Sequence, residues 1–205
     1  MAKVHDIKKL TDNRFLNLYE LDASFRDGSR APYYMSSRRR NIQDLKAVTG
    51  DQQADGVIIF ALHRAQNDRV VLIRQFRYPI NDYVYELPAG LVDRGEDPLT
   101  AGIREMQEET GLELEPVGTA RPFFTTVGMT DESCATVFGY CTGHSSNELQ
   151  ENTEDIQVVL ADRAECLRIL REERVALPCG YWLMHFVSCK EDPLEILKET
   201  YHDHI

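Results

Sequence analysis

A chain of 205 residues is long enough for one well-packed core with an appendage and short for two full domains. Its 42% hydrophobic and 28% charged content is that of an ordinary globular protein, and no apolar run approaches the ~20 residues a membrane-spanning helix needs. The net charge of −11 repels nucleic acid and anionic lipid, so general affinity for either is excluded and neither is expected as a partner.

The N-terminal MAKVHDIKKLTDN lacks the apolar centre of a secretion signal, and Cys134, Cys141, Cys166, Cys179 and Cys189 form no Cys-x-x-Cys pair. A reducing cytoplasm is the expected compartment, with the cysteines as small core residues. Residues 14 to 22 alternate Phe15, Asn17, Tyr19 and Leu21 against Leu16, Leu18 and Glu20. The turn residues Arg26 to Ser29 follow, so a β-hairpin returning through Ala31 to Met35 is expected. The hairpin carries more apolar side chains than a two-stranded ribbon can bury on itself, and it calls for a partner surface. Arg38, Arg39 and Arg40 come next, expected either as a solvated charge run or as a basic patch, with Arg39 and Arg40, facing a ligand or a second subunit.

Gly56 to Leu62 and Val70 to Ile73 are β-branched runs around a polar turn, expected as buried strands. Arg74 to Pro79 leads on to Tyr85-Glu86-Leu87-Pro88-Ala89-Gly90, so a strand and a tight turn feed a helix N-terminus, a setting that favours anions. The helix itself is delimited by Asp97 as N-cap, Pro98 in the first turn and Gly111 just past the end. Leu99, Ile103, Met106 and Thr110 draw one mostly apolar stripe. At about 100° per residue, Glu105 and Glu109 lie together on the other side, with Glu108 on their flank. Like charges so placed cost a few tenths of a kcal/mol per pair, more when desolvated. An all-oxygen cluster without His or Cys calls for Mg²⁺, with Mn²⁺ as the alternative. Gly102 is read as leaving room for those ions.

Strands are expected at Arg121 to Thr126, Ala135 to Tyr140 and Ile156 to Leu160, with the loop 127 to 132 between the first two. Asp162 and Glu165 make a capping box for a helix bearing Leu167, Leu170 and Val175; a second helix runs from about Cys179 to Cys189, and Asp192-Pro193 starts a short terminal one. From the elements alone the class is α/β or α+β.

Gly90, Glu96, Arg104, Glu105, Met106, Glu108, Glu109, Gly111 and Leu112 match every specified position of Gly-x5-Glu-x7-Arg-Glu-U-x-Glu-Glu-x-Gly-U, with U a bulky apolar residue. In this the chain resembles the Nudix hydrolases. The stretches Arg74 to Pro79 and Tyr85 to Gly90 extend the likeness to their ADP-ribose pyrophosphatase and nucleotide-sugar branch. The resemblance implies an α/β/α sandwich with a mixed β-sheet over residues 51–205. Residues 1–50 would be an N-terminal β-rich segment that helps form a homodimer. It implies hydrolysis of a nucleoside diphosphate linked to another group, with ADP-ribose cleaved to AMP and ribose 5-phosphate. On the same ground Glu105 and Glu109 are the principal metal ligands, Glu108 assists, and the Ala89 carbonyl completes the set. Gly90, Glu96, Arg104 and Gly111 brace the helix and its loop, while Arg77, Glu86 and Gly128 join Arg39 and Arg40 toward the substrate. Val127 stands before Gly128 where that branch carries proline, which keeps GDP-sugars, dinucleoside polyphosphates and nucleoside triphosphates as alternative substrates. A non-catalytic ligand-sensing domain is the alternative of another class. Carboxylates tied to cations are poor proton acceptors, so the general base is sought in the acidic stretch 145 to 155. There Glu154 is favoured over Glu151, on its spacing from Asp155-Ile156 in the branch.

Overall fold

The first forty residues form a three-stranded antiparallel sheet of β1 (Lys3–Lys9), β2 (Asn17–Ser24) and β3 (Arg30–Ser37), in that order, with period-two burial along β2. The computed structural model describes residues 1–66, 68–150, 155–195 and 197, and the chain divides into two compact units. One comprises Met1–Asp55 with Pro122–Cys134; the other comprises Gly56–Arg121 and the chain from Ala135 onward. The β2–β3 turn closes as its composition demands. Asp27 accepts from the Ser29 N–H and hydroxyl, and Gly28 takes φ +89°, a conformation open to glycine at no steric cost. β1 was not foreseen: its residues are almost all exposed and show no apolar alternation.

In the first unit Tyr19, Leu21 and Met35 turn to one side of the sheet and pack with Leu45. The short helix α1 (Lys46–Thr49) buries Lys46, whose ammonium donates to Asp55 Oδ2 at 2.7 Å, the Gln53 carbonyl at 2.8 Å and Ser133 Oγ at 2.5 Å. The loop before β9 is tied to β3: Ser36 N–H donates to the Met129 carbonyl and Tyr33 Oη to the Gly128 carbonyl.

The second unit is a seven-stranded mixed sheet flanked by helices. The strands of the sheet are β4 (Gly56–His63), β5 (Arg69–Arg77), β6 (Asp82–Glu86), β7 (Ala89–Leu91), β8 (Glu113–Phe124), β9 (Ser133–Thr142) and β10 (Ile156–Ala161), with residues 122–124 of β8 and 133–134 of β9 counted in the first unit. They run in the order β10-β5-β4-β9-β8, with β6 paired to β5 and β7 to β4. The helices are α2 (Pro98–Thr110), α3 (Arg163–Glu172) and α4 (Leu177–Ser188). Alternation along β4 and β5 sets the layers. Ile59, Ala61 and Val71 pack with Met106 of α2, whereas Phe60, Leu62, Val70 and Leu72 pack with Cys166 and Ile169 of α3 and Leu183 and Phe186 of α4. That is a helix–sheet–helix sandwich. The α3–α4 connection also docks on β6, Tyr85 N–H donating to the Arg174 carbonyl and Ala176 N–H to the Tyr85 carbonyl.

The cysteines are free thiols. Cys141, Cys166 and Cys179 are buried, and burial pushes the Cys141 and Cys166 thiols up to about 12.

Candidate active site

α2 begins and ends where its sequence directs. Asp97 Oδ1 accepts from the N–H groups of Leu99 and Thr100, Pro98 occupies the first turn, and Gly111 closes the helix at φ +72°. Its sheet-facing side differs in detail from the expected stripe. Met106 and Thr110 are buried, but Ile103 is exposed, and Ala101 and Gly102 take its place. Gly102 serves packing rather than ion access. A β-carbon there would stand 3.0 Å from a methyl of Val137 on β9, so the glycine lets α2 approach the sheet.

The other side of α2 gathers the carboxylates. Arg104 is their organiser: Nε and Nη2 donate to Glu96 at 3.1 and 3.0 Å, Nη1 to Glu105 at 2.8 Å and Glu108 at 2.9 Å, and Nη2 also to the Leu91 carbonyl at 3.0 Å. The Arg104 guanidinium holds the Glu96 carboxyl below its usual range, helped by the Asp93 N–H, and Glu96 in turn raises the pKa of Arg104. Glu109 is 3% exposed and accepts from the Ala89 N–H at 2.9 Å. Gly90 explains itself by contact, because a β-carbon there would fall 1.9 Å from the carboxyl carbon of Glu105. The loop backbone and the Glu105 carboxylate occupy adjoining space that any side chain at 90 would fill. Gly111 is equally constrained: besides its positive φ, a β-carbon would lie 2.8 Å from the Ser146 nitrogen.

These residues fit a hard divalent cation by chemistry. Every donor is oxygen, Glu109 is a buried carboxylate, and Gly90 leaves the Glu105 carboxylate against the loop that bears the Ala89 carbonyl. Among the described residues, no group of three or more His, Cys, Asp or Glu stands in a chelating arrangement. Glu105 and Glu108 each accept from Arg104 through one oxygen, so a bound cation would share these carboxylates with that guanidinium.

The remaining candidates divide by unit. Arg77 and Glu86 form a two-pronged pair, Nε to Oε1 and Nη2 to Oε2, both at 2.7 Å. The β5–β6 register, with Ile73 opposite Glu86 and Arg77 opposite Asp82, keeps both residues on the α2 face of the sheet. Arg39, Arg40 and Gly128 belong to the first unit. Arg39 donates to Asp55 at 2.7 Å and Asp51 at 3.3 Å, Arg40 is exposed, and the Gly128 carbonyl accepts from Tyr33. Glu151 and Glu154 lie outside the described residues. Their flanks are anchored: Gln150 Nε2 donates to the Glu109 carbonyl at 2.6 Å, and the Asp155 carbonyl accepts from Phe76 N–H at 3.1 Å.

Comparison with known proteins agrees with this geometry. Residues 52–178 match the NUDIX domain. The chain is 36% identical over 143 residues to putative nudix hydrolase 2 of Caenorhabditis elegans, which is 69% of this chain and 59% of that protein. It is 35% identical over 86 residues to an ADP-ribose pyrophosphatase of Saccharomyces cerevisiae (40% and 37%) and 42% identical over 66 residues to an ADP-sugar pyrophosphatase of Mus musculus (31% and 30%). The match thus spans under two thirds of these relatives' own lengths. A solved ADP compounds hydrolase shares the fold at TM-score 0.67 and 17% identity, over 98% of this chain and 96% of that one. With the Gly90–Leu112 motif folded as a capped helix beside its glycine loop, the chain belongs to the Nudix family.

Proposed function

We propose that the protein is a Mg²⁺-dependent pyrophosphohydrolase of nucleoside diphosphate derivatives, with ADP-ribose as substrate and AMP and ribose 5-phosphate as products. The observation that carries the reading is the joint placement of Glu105 against Gly90 and of buried Glu109 on the Ala89 N–H. Glu105, Glu109 and Glu108, with the Ala89 carbonyl, would hold the cation, which when bound neutralises pyrophosphate charge and lowers the pKa of the attacking water. Arg104 and Glu96 fix the helix to its loop. Arg77, released from Glu86, supplies the fork-shaped donor suited to phosphate. Glu154, with Glu151 as runner-up, is proposed as general base. Replacing Glu109 by Gln should leave folding intact and lower ADP-ribose turnover by orders of magnitude at saturating Mg²⁺; near-normal turnover would sink the assignment.

Substrate choice is decided by catalytic efficiency on ADP-ribose, GDP-mannose and dGTP. Val127, in place of the branch's proline, is the reason to include the last two, and a preference for dGTP overturns the ADP-ribose reading. We also propose a homodimer formed through residues 1–50, where Phe15, Leu16, Leu18, Tyr33 and Tyr34 are exposed. Light scattering giving only a monomer mass at micromolar concentration would count against it. As to compartment, no helix among the described residues is long and apolar enough to cross a membrane.

A further inference from the structure

Gln75 is polar where its surroundings call for an apolar residue. Val71 and Ile73 precede it on the same face of β5, the face that α2 covers, and both are buried. Across the sheet it stands opposite Val84 of β6 and Ile156 of β10. The residue is 8% exposed, and its Oε1 has no hydrogen-bond partner among the described residues. A methionine would fill similar volume without stranding an acceptor, so the amide carries a desolvation cost that folding does not explain. Two residues further along this face is Arg77, and the strand rise sets the two positions about 7 Å apart.

We propose that Gln75 is a substrate-contacting residue that takes a hydrogen bond from a sugar hydroxyl of the nucleotide, while Arg77 meets a phosphate. This rests on the pyrophosphohydrolase reading. The unmet atom is an acceptor, which a phosphate oxygen cannot answer. A hydroxyl both donates and accepts, so it also suits the amide after a half-turn that exchanges its two edges. A site built to bond a substrate hydroxyl discriminates against analogues lacking it, because its own buried polar group is then left unpaired.

The test compares wild type with Gln75→Met. The variant should melt a few degrees higher, raise KM for ADP-ribose at least tenfold and keep kcat within about threefold. ADP-ribose titrated calorimetrically into Glu109→Gln and into the double variant, with Ca²⁺ present, should show the same tenfold weakening without turnover. With the methyl ester of ADP, which lacks the second sugar, loss of the Gln75 effect assigns the hydroxyl to that sugar, and persistence assigns it to the adenosine. If Gln75→Met does not fold, Gln75→Val carries the same expectation. Unchanged KM and Kd with a raised Tm overturn the inference. A wild-type chain that neither binds nor cleaves any nucleotide of the panel overturns the underlying reading instead.

Discussion

Two charge clusters in this chain use similar side chains and end in opposite balance. In the first unit, Lys46 and Arg39 meet Asp51 and Asp55, two cations for two carboxylates, and Ser133 and the Gln53 carbonyl take up further donors. In the second, Arg104 faces Glu96, Glu105 and Glu108, with Glu109 beside them on the Ala89 N–H. The buried Lys46–Asp55 pair fixes a shape, because removing the carboxylate leaves the ammonium out of solvent and without its counter-charge. A cluster with surplus carboxylate is stable only while it stays partly open or takes a cation. The contrast is between an ion network whose charges match one to one and one in which several carboxylates share a single guanidinium.

The sharpest way to break that contrast is Gly90→Ala. The added methyl displaces the Glu105 carboxylate, and a misplacement of about 1 Å at a reacting centre costs on the order of 10²-fold. Turnover should fall at least that far while the melting curve changes little; intact turnover would mean that Glu105 does not need the loop. Lys46→Met should do the reverse, destabilising the fold by roughly 3–5 kcal/mol as read by urea denaturation, with kcat per folded molecule preserved. Arg104→Gln is intermediate. It removes charged hydrogen bonds worth about 1.5–3 kcal/mol each before relaxation, so Tm should drop and the half-saturating Mg²⁺ concentration should shift, where Lys46→Met shifts only Tm.

Acid titration sharpens the same point. The folded-state pKa of Glu96 is depressed by Arg104. Its stabilisation is therefore complete above the unfolded carboxyl pKa of about 4.3 and is lost as pH falls through the lower folded value. Stability of the wild type should fall more steeply below about pH 4 than that of Glu96→Gln, measured by denaturation at fixed temperature; parallel curves would remove Glu96 from the network. Gly102→Ala should have the smallest effect. Its helix-propensity gain of up to about 1 kcal/mol is offset by the tight approach to Val137, and activity should stay near wild type.

What the sequence made legible was local. The bounds of α2 follow from Asp97, Pro98 and Gly111, each a cap with its own mechanism, and the carboxylate face follows from helical spacing. What it hid was set by long-range approach. β8 begins at Glu113, well before the expected Arg121. In the fold Gly118 makes room for the Phe138 ring and Gly139 for the Glu115 carbonyl, so these glycines mark the close approach of neighbouring strands. Gly102 misled for the same reason. The pairing of Arg77 with Glu86 depends on the register of β5 on β6, and the membership of Pro122–Cys134 in the first unit depends on bonds to β3. Neither leaves a local pattern.

The docking of the α3–α4 connection on β6 bears on solubility. β6 is paired to β5, and without Arg174 and Ala176 the Tyr85 amide and carbonyl would lie open as a template for another chain's strand. A few residues of linker occupy that edge inside the same molecule, with Arg174 also reaching Asp82 at 3.0 Å. At Tyr85 the sheet is thus closed to edge-on self-association by its own covalent connection, a protection that survives dilution and crowding alike.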